Sequence, residues 1–367
     1  MAEFPGYRSP AAVLGGGAGG HATAAHLTLA GVPVRLWMRN AAAVGTLRDR
    51  PVIDVIGEMQ GSYELELITS DLAEVVRGCR LICVVLPAHA HEAIARTLAP
   101  LLAGDETILL HPGRTAGAVA FRRALLSIRP HLTGVRVGET QSLIYTCRLT
   151  DARTVELFRV KTYGQMAFLG AGNSDDTEEI GVLRALFPQA IMEPSTLVTG
   201  FANIGAVLHP APMLLNAGSI EREGNPFLFY YEAITPTIAG LVEALDSERC
   251  AVATAYGLPV LSIREWHGQC YGVMGETLYD TIRMNIRYAS LETPRSLTHR
   301  YLREDVPTGL IPLISLADAA GIDVPHMRTV RDLAQLVLRE TFDDTRRDAV
   351  RLGIAGRSLG EIQEIFR

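Results

Sequence analysis

A glycine-rich segment, Gly15–Gly20, lies between the apolar run Ala11–Leu14 and the helix-like run His21–Ala30. It reads G-x-G-x-x-G at the predicted junction of a strand and a helix. In this pattern the first glycine allows a tight turn, the second lets the backbone approach a pyrophosphate, and the third lets helix and strand pack closely. The phosphates then lie on unpaired N–H groups at the helix N-terminus. Both flanks fit this pattern better than a flexible loop, so we predict a dinucleotide site that includes Gly15, Gly17, Ala18, Gly19 and Gly20.

Strand-like and helix-like segments alternate through the first half of the chain. The predicted strands are Ala11–Gly15, Val32–Trp37, Leu81–Leu86 and Thr107–Leu110, and the predicted helices are Gly19–Ala30, a short one capped by Asp71, and His89–Leu102. Val52–Thr69 indicates a hairpin-like insertion, because it is rich in β-branched residues and glycine turns. Repeated alternation is typical of a parallel, doubly wound sheet. We therefore predict an α/β Rossmann domain with a mostly parallel sheet.

The character of the sequence changes after residue 134. Short strands are predicted between Val135 and Leu169, followed by a helix that Asp175 or Asp176 caps and that reaches Phe187. Beyond Pro188–Pro194 the apolar periodicity is helical, with glycine and proline mainly at segment ends. We predict a Rossmann domain over residues 1–188 and an all-α domain over residues 189–367, with helices at Leu197–Ala217, Thr235–Ala255, Leu278–Tyr288, Gly309–Ala320 and Met327–Leu338.

Composition argues against several classes of function. A net charge of -6 disfavours a nucleic-acid partner, which needs a basic surface. No segment approaches roughly 18 uninterrupted apolar residues, and Met1–Pro10 lacks a signal-peptide core, so we predict a cytoplasmic protein without a membrane partner. The five cysteines are scattered, which disfavours a disulfide framework. No Cys/His cluster has zinc spacing, so no metal site is predicted.

The second predicted strand ends in Trp37-Met38-Arg39-Asn40. In NAD-binding folds an acidic residue at this place holds the ribose hydroxyls of the adenosine. Arg39 stands there instead, and an arginine can hold a 2′-phosphate by charge and stack on adenine. The sequence therefore predicts NADP(H) as the preferred cofactor, with NAD(H) as the alternative if Arg39 is only a solvated loop charge. Pro87, which ends the run Leu81–Leu86, is a further predicted cofactor contact.

Two segments of the helical half carry candidate catalytic residues. His209 lies in an apolar, helix-like run, where it is either a core histidine or a proton donor of the kind that carbonyl reduction requires. Arg300 and Asp305 are five positions apart, so they would diverge by about 140° on one continuous helix. Val306-Pro307 disfavours helix at this point, and a break there could turn both side chains into one cleft. Spacing alone favours Asp305 as the N-cap of a helix that begins near Pro307.

Over nearly its full length the chain resembles the octopine/nopaline dehydrogenases, the opine dehydrogenase family. The resemblance rests on the glycine motif and on four further segments, His111-Pro112-Gly113-Arg114, Glu139-Thr140 with Tyr145-Thr146-Cys147-Arg148, Asn203…His209-Pro210, and His299-Arg300-Tyr301…Asp305-Val306-Pro307. The last two are the most specific, since they are long, ordered and in the predicted helical domain. In such enzymes an amino acid and a 2-oxo acid condense to an imine, which NAD(P)H reduces to a secondary amine dicarboxylate.

The resemblance implies a catalytic group of three residues. His209 would be the general acid and base, and Asp305 would orient its imidazole and stabilise its charge. Arg300 would hold the carboxylate of the 2-oxo acid in a bidentate pair.

The resemblance also implies substrate contacts. Glu139 would receive the ammonium group of the amino acid, with Thr140 beside it, and Asn203 would position the substrate or the carboxamide of the cofactor. Arg114 would contact substrate too, although it stands where some family members carry a glutamine. The implied partners are therefore small molecules, an amino acid and a 2-oxo acid.

Two other functions fit the same architecture. A simple 2-oxo or hydroxy-acid reductase of the glycerol-3-phosphate or ketopantoate type would use a catalytic lysine, but the only lysine, Lys161, ends the predicted strand Val155–Lys161. A non-catalytic NAD(P)-sensing protein would not need the histidine, aspartate and arginine together. For the oligomeric state, a homodimer through the helical domain is the working hypothesis.

Overall fold

The structure is a computed structural model that describes residues 7–170, 177–222 and 226–367. The chain divides into two compact units. The N-terminal unit contains the chain up to Gly113, Gly117–Thr196 and Arg367, and the helical unit contains Arg114–Ala116 and Leu197–Phe366. The predicted boundary at Pro188–Pro194 lies too early, because the strand Ala190–Met192 still pairs within the sheet of the N-terminal unit.

Two sheets form the framework of the N-terminal unit. Their strands in the described ranges are β1 (Ala11–Leu14), β2 (Val34–Trp37), β3 (Val52–Gly57), β4 (Gly61–Glu64), β5 (Leu67–Thr69), β6 (Leu81–Val84), β7 (Thr107–Leu110), β8 (Arg136–Thr140), β9 (Tyr145–Leu149), β10 (Thr154–Val160), β11 (Gly164–Phe168) and β12 (Ala190–Met192).

The larger sheet has eight strands in the order β12-β11-β8-β7-β6-β1-β2-β5. Neighbouring strands are parallel except for β8 and β11. The central strands β1, β6 and β7 are buried at every position, as continuous apolar runs covered on both faces must be. This arrangement confirms the predicted Rossmann-type sheet.

The smaller sheet has four strands in the order β4-β3-β10-β9. Strands β3 and β4 form the hairpin predicted within Val52–Thr69. Strand β3 also pairs in parallel with β10, with Asp54 opposite Thr154. The short strands predicted after residue 134 therefore divide between the sheets, since β8 and β11 join the larger one and β9 and β10 the smaller one.

The helices of the N-terminal unit are α1 (Ala18–Leu29), α2 (Ala41–Gly45), α3 (Leu72–Val76), α4 (His91–Leu98), α5 (Gly117–Ile128) and α6 (Glu178–Leu186). Asp71 caps α3 as predicted. Thr177 caps α6, whereas Asp175 and Asp176, the predicted caps, lie outside the described residues. The predicted helix His89–Leu102 is shorter, because 3₁₀ turns precede and follow α4.

The helical unit is built from helices α7 (Thr196–Phe201), α8 (Gly205–Leu208), α9 (Pro210–Leu215), α10 (Ala217–Ile220), α11 (Pro236–Ala255), α12 (Ile263–Tyr271), α13 (Leu278–Met284), α14 (Arg300–Arg303), α15 (Ile311–Ala320), α16 (Pro325–Leu338), α17 (Ala349–Leu352) and α18 (Leu359–Ile365). A π-helical turn, Val306–Leu310, leads into α15. The predicted long helix Leu197–Ala217 is in fact broken into α7, α8, α9 and the start of α10, because Pro210 opens α9 and cannot continue α8.

The apolar stretch Thr196–Leu215 has the length and hydropathy of a membrane-crossing helix, with a mean hydropathy of 1.3 over its test window. Within the structure 83% of that window is buried, as in the core helices of many proteins. All five cysteines, which lie in the described ranges, are free thiols.

Arg249 of α11 is fully buried and joins three elements of the helical unit. Its guanidinium donates to Asp246 Oδ1 at 2.6 and 2.8 Å, to the Phe201 carbonyl at 2.6 Å and to the Leu261 carbonyl at 2.6 Å. Asp246 Oδ2 accepts from the Ile263 N–H at 2.7 Å. The pair therefore satisfies backbone groups at the end of α7 and at the start of α12.

We expect Arg249→Met to lower the free energy of unfolding by about 3–5 kcal/mol, because it leaves the buried Asp246 carboxylate without its cation. Urea denaturation followed by circular dichroism measures the loss. The matched control is Arg295→Met, since the Arg295 side chain is 84% exposed and lies 4.0 Å from Glu292. Equal stability of the two variants would contradict this role of Arg249.

Candidate active site

The glycine loop of the N-terminal unit is shaped by close backbone approaches. Gly15 has φ +146°, and a Cβ there would collide with the Val85 carbonyl oxygen. A Cβ on Gly20 would collide with the Gly15 carbonyl oxygen. Gly17 faces open space and is the N-cap of α1 without a side-chain cap bond. The first N–H groups of α1 are therefore open to an anion, as a pyrophosphate site requires.

A pocket of about 590 Å³ lies beside this loop, within the N-terminal unit. Its lining includes Gly16, Trp37, Met38, Arg39, Ser70 and Pro87. The Arg39 side chain is exposed and forms no ion pair with a residue in the described ranges. The structure thus places Arg39 and Pro87 on the same pocket as the glycine loop.

Glu139 and Thr140 are buried at the end of β8. Glu139 Oε2 accepts from the Ala118 N–H in the first turn of α5 at 2.7 Å, and the carboxylate packs against Gly113. Thr140 Oγ1 lies 3.3 Å from His111 Nδ1. Both side chains thus have structural partners inside the N-terminal unit, and Glu139 is a negative charge at the N-terminus of a helix.

His209 and Asp305 form a hydrogen-bonded pair in the helical unit. His209 lies at the break between α8 and α9, and its Nδ1 donates to Asp305 Oδ2 at 2.7 Å. The hydroxyl of Tyr230 lies 3.1 Å from Nε2. Asp305 is fully buried, whereas the His209 side chain keeps 13% exposure. The imidazole is therefore neither a sealed core residue nor a surface residue.

The alternative position of Asp305 as a helix N-cap is not realised. Asp305 precedes the π-helical turn, but its side chain makes no cap bond to that turn. The carboxylate turns to His209 instead, 96 residues away in sequence. The expected break is present, because α14 ends at Arg303 with Glu304 as its C-cap and a π-helical turn begins at Val306.

Aromatic rings enclose the imidazole. Tyr301 stacks on His209 with a centroid distance of 3.9 Å and an interplanar angle of 20°, and Phe229 meets it edge to face at 6.1 Å. Tyr230 stacks in turn on Tyr288 at 3.9 Å. Burial, followed by the neighbouring Tyr301 and Tyr288, raises the pKa of Tyr230 well above its usual value, so its hydroxyl stays protonated.

A chain of charges surrounds the pair. Glu304 Oε2 lies 2.9 Å from Arg300 Nε and 3.3 Å from Arg114 Nη2. Arg114 Nη1 lies 3.6 Å from Asp305 Oδ1 and 3.5 Å from the side-chain oxygen of Asn203. These contacts connect four predicted site residues of the helical unit, namely Arg114, Asn203, Arg300 and Asp305. The hydrogen bond from His209 to Asp305 adds the histidine to the same network.

Arg114 and Arg300 differ in environment. The Arg114 side chain is 9% exposed, and the Arg300 side chain is 52% exposed. Burial lowers the pKa of Arg114, but Glu304 and Asp305 raise it more, so its pKa lies above the ordinary value and it remains a cation. Arg300 is consequently the more accessible of the two cations.

Sequence reasoning missed Glu304, Tyr230 and Tyr301. Glu304 and Tyr301 lie inside the segment that carries Arg300 and Asp305. Their spacing does not show that Glu304 lies beside two arginines or that Tyr301 stacks on the His209 imidazole. Tyr230 belongs to the aromatic run Phe229-Tyr230-Tyr231, which has no motif around it. In the described ranges, no group of three or more His, Cys, Asp or Glu side chains could hold a metal ion.

Two family models match the chain. The model described as NAD/NADP octopine/nopaline dehydrogenase, alpha-helical domain, matches residues 192–338, and the model described as NAD-dependent glycerol-3-phosphate dehydrogenase N-terminus matches residues 10–113. The chain is 36% identical over 355 residues to an opine dehydrogenase of Arthrobacter sp. (strain 1C), which covers 96% of this chain and 97% of that protein.

Solved structures show the same fold. A structure of octopine dehydrogenase with NADH and L-arginine matches with a TM-score of 0.80 at 22% identity, covering 98% of each chain. Yersinopine dehydrogenase with NADP+ bound matches with a TM-score of 0.72 at 16% identity, covering 98% of this chain and 97% of that one. Together with the helical-domain model and the relative from Arthrobacter, these matches show that the chain belongs to the octopine/nopaline (opine) dehydrogenase family of NAD(P)-dependent oxidoreductases, which act on the CH–NH group of a secondary amine.

Proposed function

We propose that this chain condenses an amino acid with a small 2-oxo acid of the pyruvate type and reduces the imine to an N-(carboxyalkyl)amino acid, and that it catalyses the reverse reaction. The observation that carries the proposal is the hydrogen bond between His209 and Asp305 in a helical unit of this family. A histidine with a buried carboxylate on Nδ1 can hold a proton on Nε2 and release it again.

The N-terminal unit fits a dinucleotide. The open face of Gly17 and the uncapped start of α1 suit a pyrophosphate, and the pocket beside them suits an adenosine. The chemistry that a bound NAD(P)H supplies is hydride donation to the imine carbon.

His209 would serve both halves of the reaction. As a base it accepts a proton from the substrate ammonium, and as an acid it returns a proton while the imine forms and water leaves. Tyr230 suits either state of the ring, because its hydroxyl donates to a neutral Nε2 and accepts from a protonated one. Asp305 stabilises the imidazolium and holds Nδ1 protonated.

Arg300 would bind the carboxylate of the 2-oxo acid. Glu304 engages its Nε, so the two terminal nitrogens form the edge that is suited to a bidentate pair. The half exposure of Arg300 supports this role. Asn203, whose amide group donates to Thr115 Oγ1 at 3.2 Å, is a candidate to position the substrate or the cofactor carboxamide.

Glu139 and Thr140 are the weaker part of the proposed substrate site. Their family positions favour contact with the amino acid, and Glu139 would then receive the ammonium group. In this structure Glu139 already caps α5 through Ala118. Substrate binding would therefore have to share this carboxylate with the helix.

The reaction is tested by NAD(P)H oxidation with pyruvate and a panel of amino acids. We expect turnover to require the amino acid, because the imine forms only from an amine. Reduction of the 2-oxo acid without any amine would instead favour a simple reductase. Tight cofactor binding with no oxidation across the panel would favour a sensor.

We expect His209→Asn to reduce kcat about 10²- to 10⁴-fold, the usual contribution of a general acid or base. Cofactor affinity should stay unchanged, because the glycine loop and its pocket lie within the other unit. Steady-state kinetics and fluorescence titration measure the two quantities. His131→Asn, at an exposed position, is the matched control, and turnover like that of the control would remove His209 from the mechanism.

We propose that NADP(H) is the preferred cofactor. The support is Arg39, an exposed cation on the adenosine pocket at the end of β2, where NAD-dependent folds carry an acidic residue. Asn40, which follows it, uses its side chain to cap α2 and supplies no negative charge.

We expect Arg39→Ser to weaken NADPH binding about tenfold, since a hydrogen bond from an exposed arginine to a phosphate contributes on the order of 1.5 kcal/mol. NADH binding should change little, because NADH has no 2′-phosphate. The fluorescence of Trp37, which lines the pocket, gives both dissociation constants. Arg48→Ser is the control at another exposed arginine. Equal or tighter binding of NADH by the unmodified protein would contradict the preference.

A further inference from the structure

Arg114 adopts a backbone conformation that a long side chain rarely takes, with φ +66°. It belongs to Arg114–Ala116, the short segment that packs with the helical unit although its neighbours in sequence belong to the N-terminal unit. Hydrogen bonds of Thr115 hold the segment there, since its N–H donates to the Thr308 carbonyl at 3.2 Å and its side-chain Oγ1 donates to the Gly200 carbonyl at 3.1 Å. The guanidinium is thus fixed by the backbone as well as by its own contacts.

Both terminal nitrogens of Arg114 face carboxylates of the helical unit. Nη2 lies 3.3 Å from Glu304 Oε2, and Nη1 lies 3.6 Å from Asp305 Oδ1. The second distance is that of an ion pair rather than of a hydrogen bond, and Asp305 Oδ1 has no hydrogen-bond partner in the described ranges. One oxygen of Asp305 is thus bound to His209, while the other is held only by the charge of Arg114.

Gly205 lets Arg114 and His209 lie side by side. A Cβ at this position would stand 3.1 Å from Arg114 Nη1 and 3.4 Å from two ring atoms of His209. A side chain larger than hydrogen would therefore press on both groups. The guanidinium and the imidazole are close enough for their charges to interact strongly inside the protein.

We propose that Arg114 is a positioning residue, which holds Asp305 in line with His209 and balances the two adjacent carboxylates, instead of binding substrate itself. The inference rests on the proposed function, because it assigns Arg114 a part in the same reaction. It replaces the direct substrate contact that the family resemblance implies for this position.

The charge balance explains why an arginine suits this place. Glu304 and Asp305 are adjacent buried carboxylates, and Arg114 lies within ion-pair distance of both. Its guanidinium places a positive charge next to both carboxylates and beside the imidazole, so it offsets part of the negative potential that they create there. Removal of either partner would bias His209 toward one protonation state.

The groups that face His209 set the direction of that bias. Asp305 and Tyr230 face it by hydrogen bond, Tyr301 by stacking and Arg114 across Gly205, and the charges of Arg300, Glu304 and His299 lie around them. Loss of a cation favours the protonated ring, and loss of an anion favours the neutral ring. Arg114→Gln and Glu304→Gln should therefore shift the titration of His209 in opposite directions.

The test compares the pH dependence of kcat/KM in the reductive direction. A general acid loses activity as pH rises, so we expect Arg114→Gln to move this alkaline limb upward and Glu304→Gln to move it downward, each by on the order of one pH unit. We expect kcat of Arg114→Gln to fall about 10- to 100-fold, because the reacting groups lose alignment. KM for the 2-oxo acid should change little. Arg303→Gln, whose exposed side chain pairs with Glu340, is the control.

A direct substrate contact predicts a different result. Arg114→Gln would then raise KM for the 2-oxo acid about 10- to 100-fold, the effect of losing a charged hydrogen bond, and would leave the limb in place. Shifts of the two variants in the same direction would also overturn the proposal. Circular dichroism and urea denaturation check that the helical unit of each variant is folded.

Proton NMR titration of His209 in the substrate-free protein separates this inference from the proposed function. Its signal is assigned as the one missing from His209→Asn. If the protein turned over no amine and 2-oxo acid pair, the proposed function would fail, but opposite shifts in this titration would still support the coupling. Unchanged titration in both variants would end the inference even in an active enzyme.

Discussion

The hydrogen bond between His209 Nδ1 and Asp305 Oδ2 is the interaction on which the site depends. It joins residues from the α8–α9 break and the π-helical turn, and it decides which ring nitrogen carries a fixed proton. Nε2 is then the ring nitrogen that can gain or lose a proton, and the Tyr230 hydroxyl lies beside it. Both residues thus lie where a regular α-helix is interrupted, His209 directly before Pro210 and Asp305 directly before the π-helical turn.

The fold follows from the sequence where the pattern is local. The glycine motif and the alternating segments predict the parallel sheet, and Asp71 predicts the start of α3. The pairing of β3 with β10 could not be predicted, because period-2 patterns show a strand but not its distant partner. The boundary was misplaced for a similar reason, since β12 is short and joins the sheet by pairing with β11.

The candidate site was harder to predict than the fold. Spacing alone favoured a helix cap for Asp305, and the residues left His209 as either a core histidine or a proton donor. Only the family resemblance paired the two. Nothing in the sequence distinguishes Glu304 from a solvated glutamate, whereas the structure buries it within ion-pair distance of Arg300 and Arg114. The role of Gly205 depends on two side chains that approach from separate segments, and no single stretch of sequence contains that information.

Arg249 and Arg114, both buried in the helical unit, show how structural and functional charges differ. Arg249 donates hydrogen bonds to Asp246 and to the carbonyls of Phe201 and Leu261, so it stabilises the end of α7 and the segment before α12. Arg114 has a buried Nε without a hydrogen-bond partner in the described ranges and a backbone with positive φ, a conformation that costs on the order of 1–3 kcal/mol. Buried ion pairs contribute little net stability, and an unsatisfied donor reduces it further. The cluster around Arg114 is thus poorly explained by stability and well explained by the need to hold Asp305 and His209 in one arrangement.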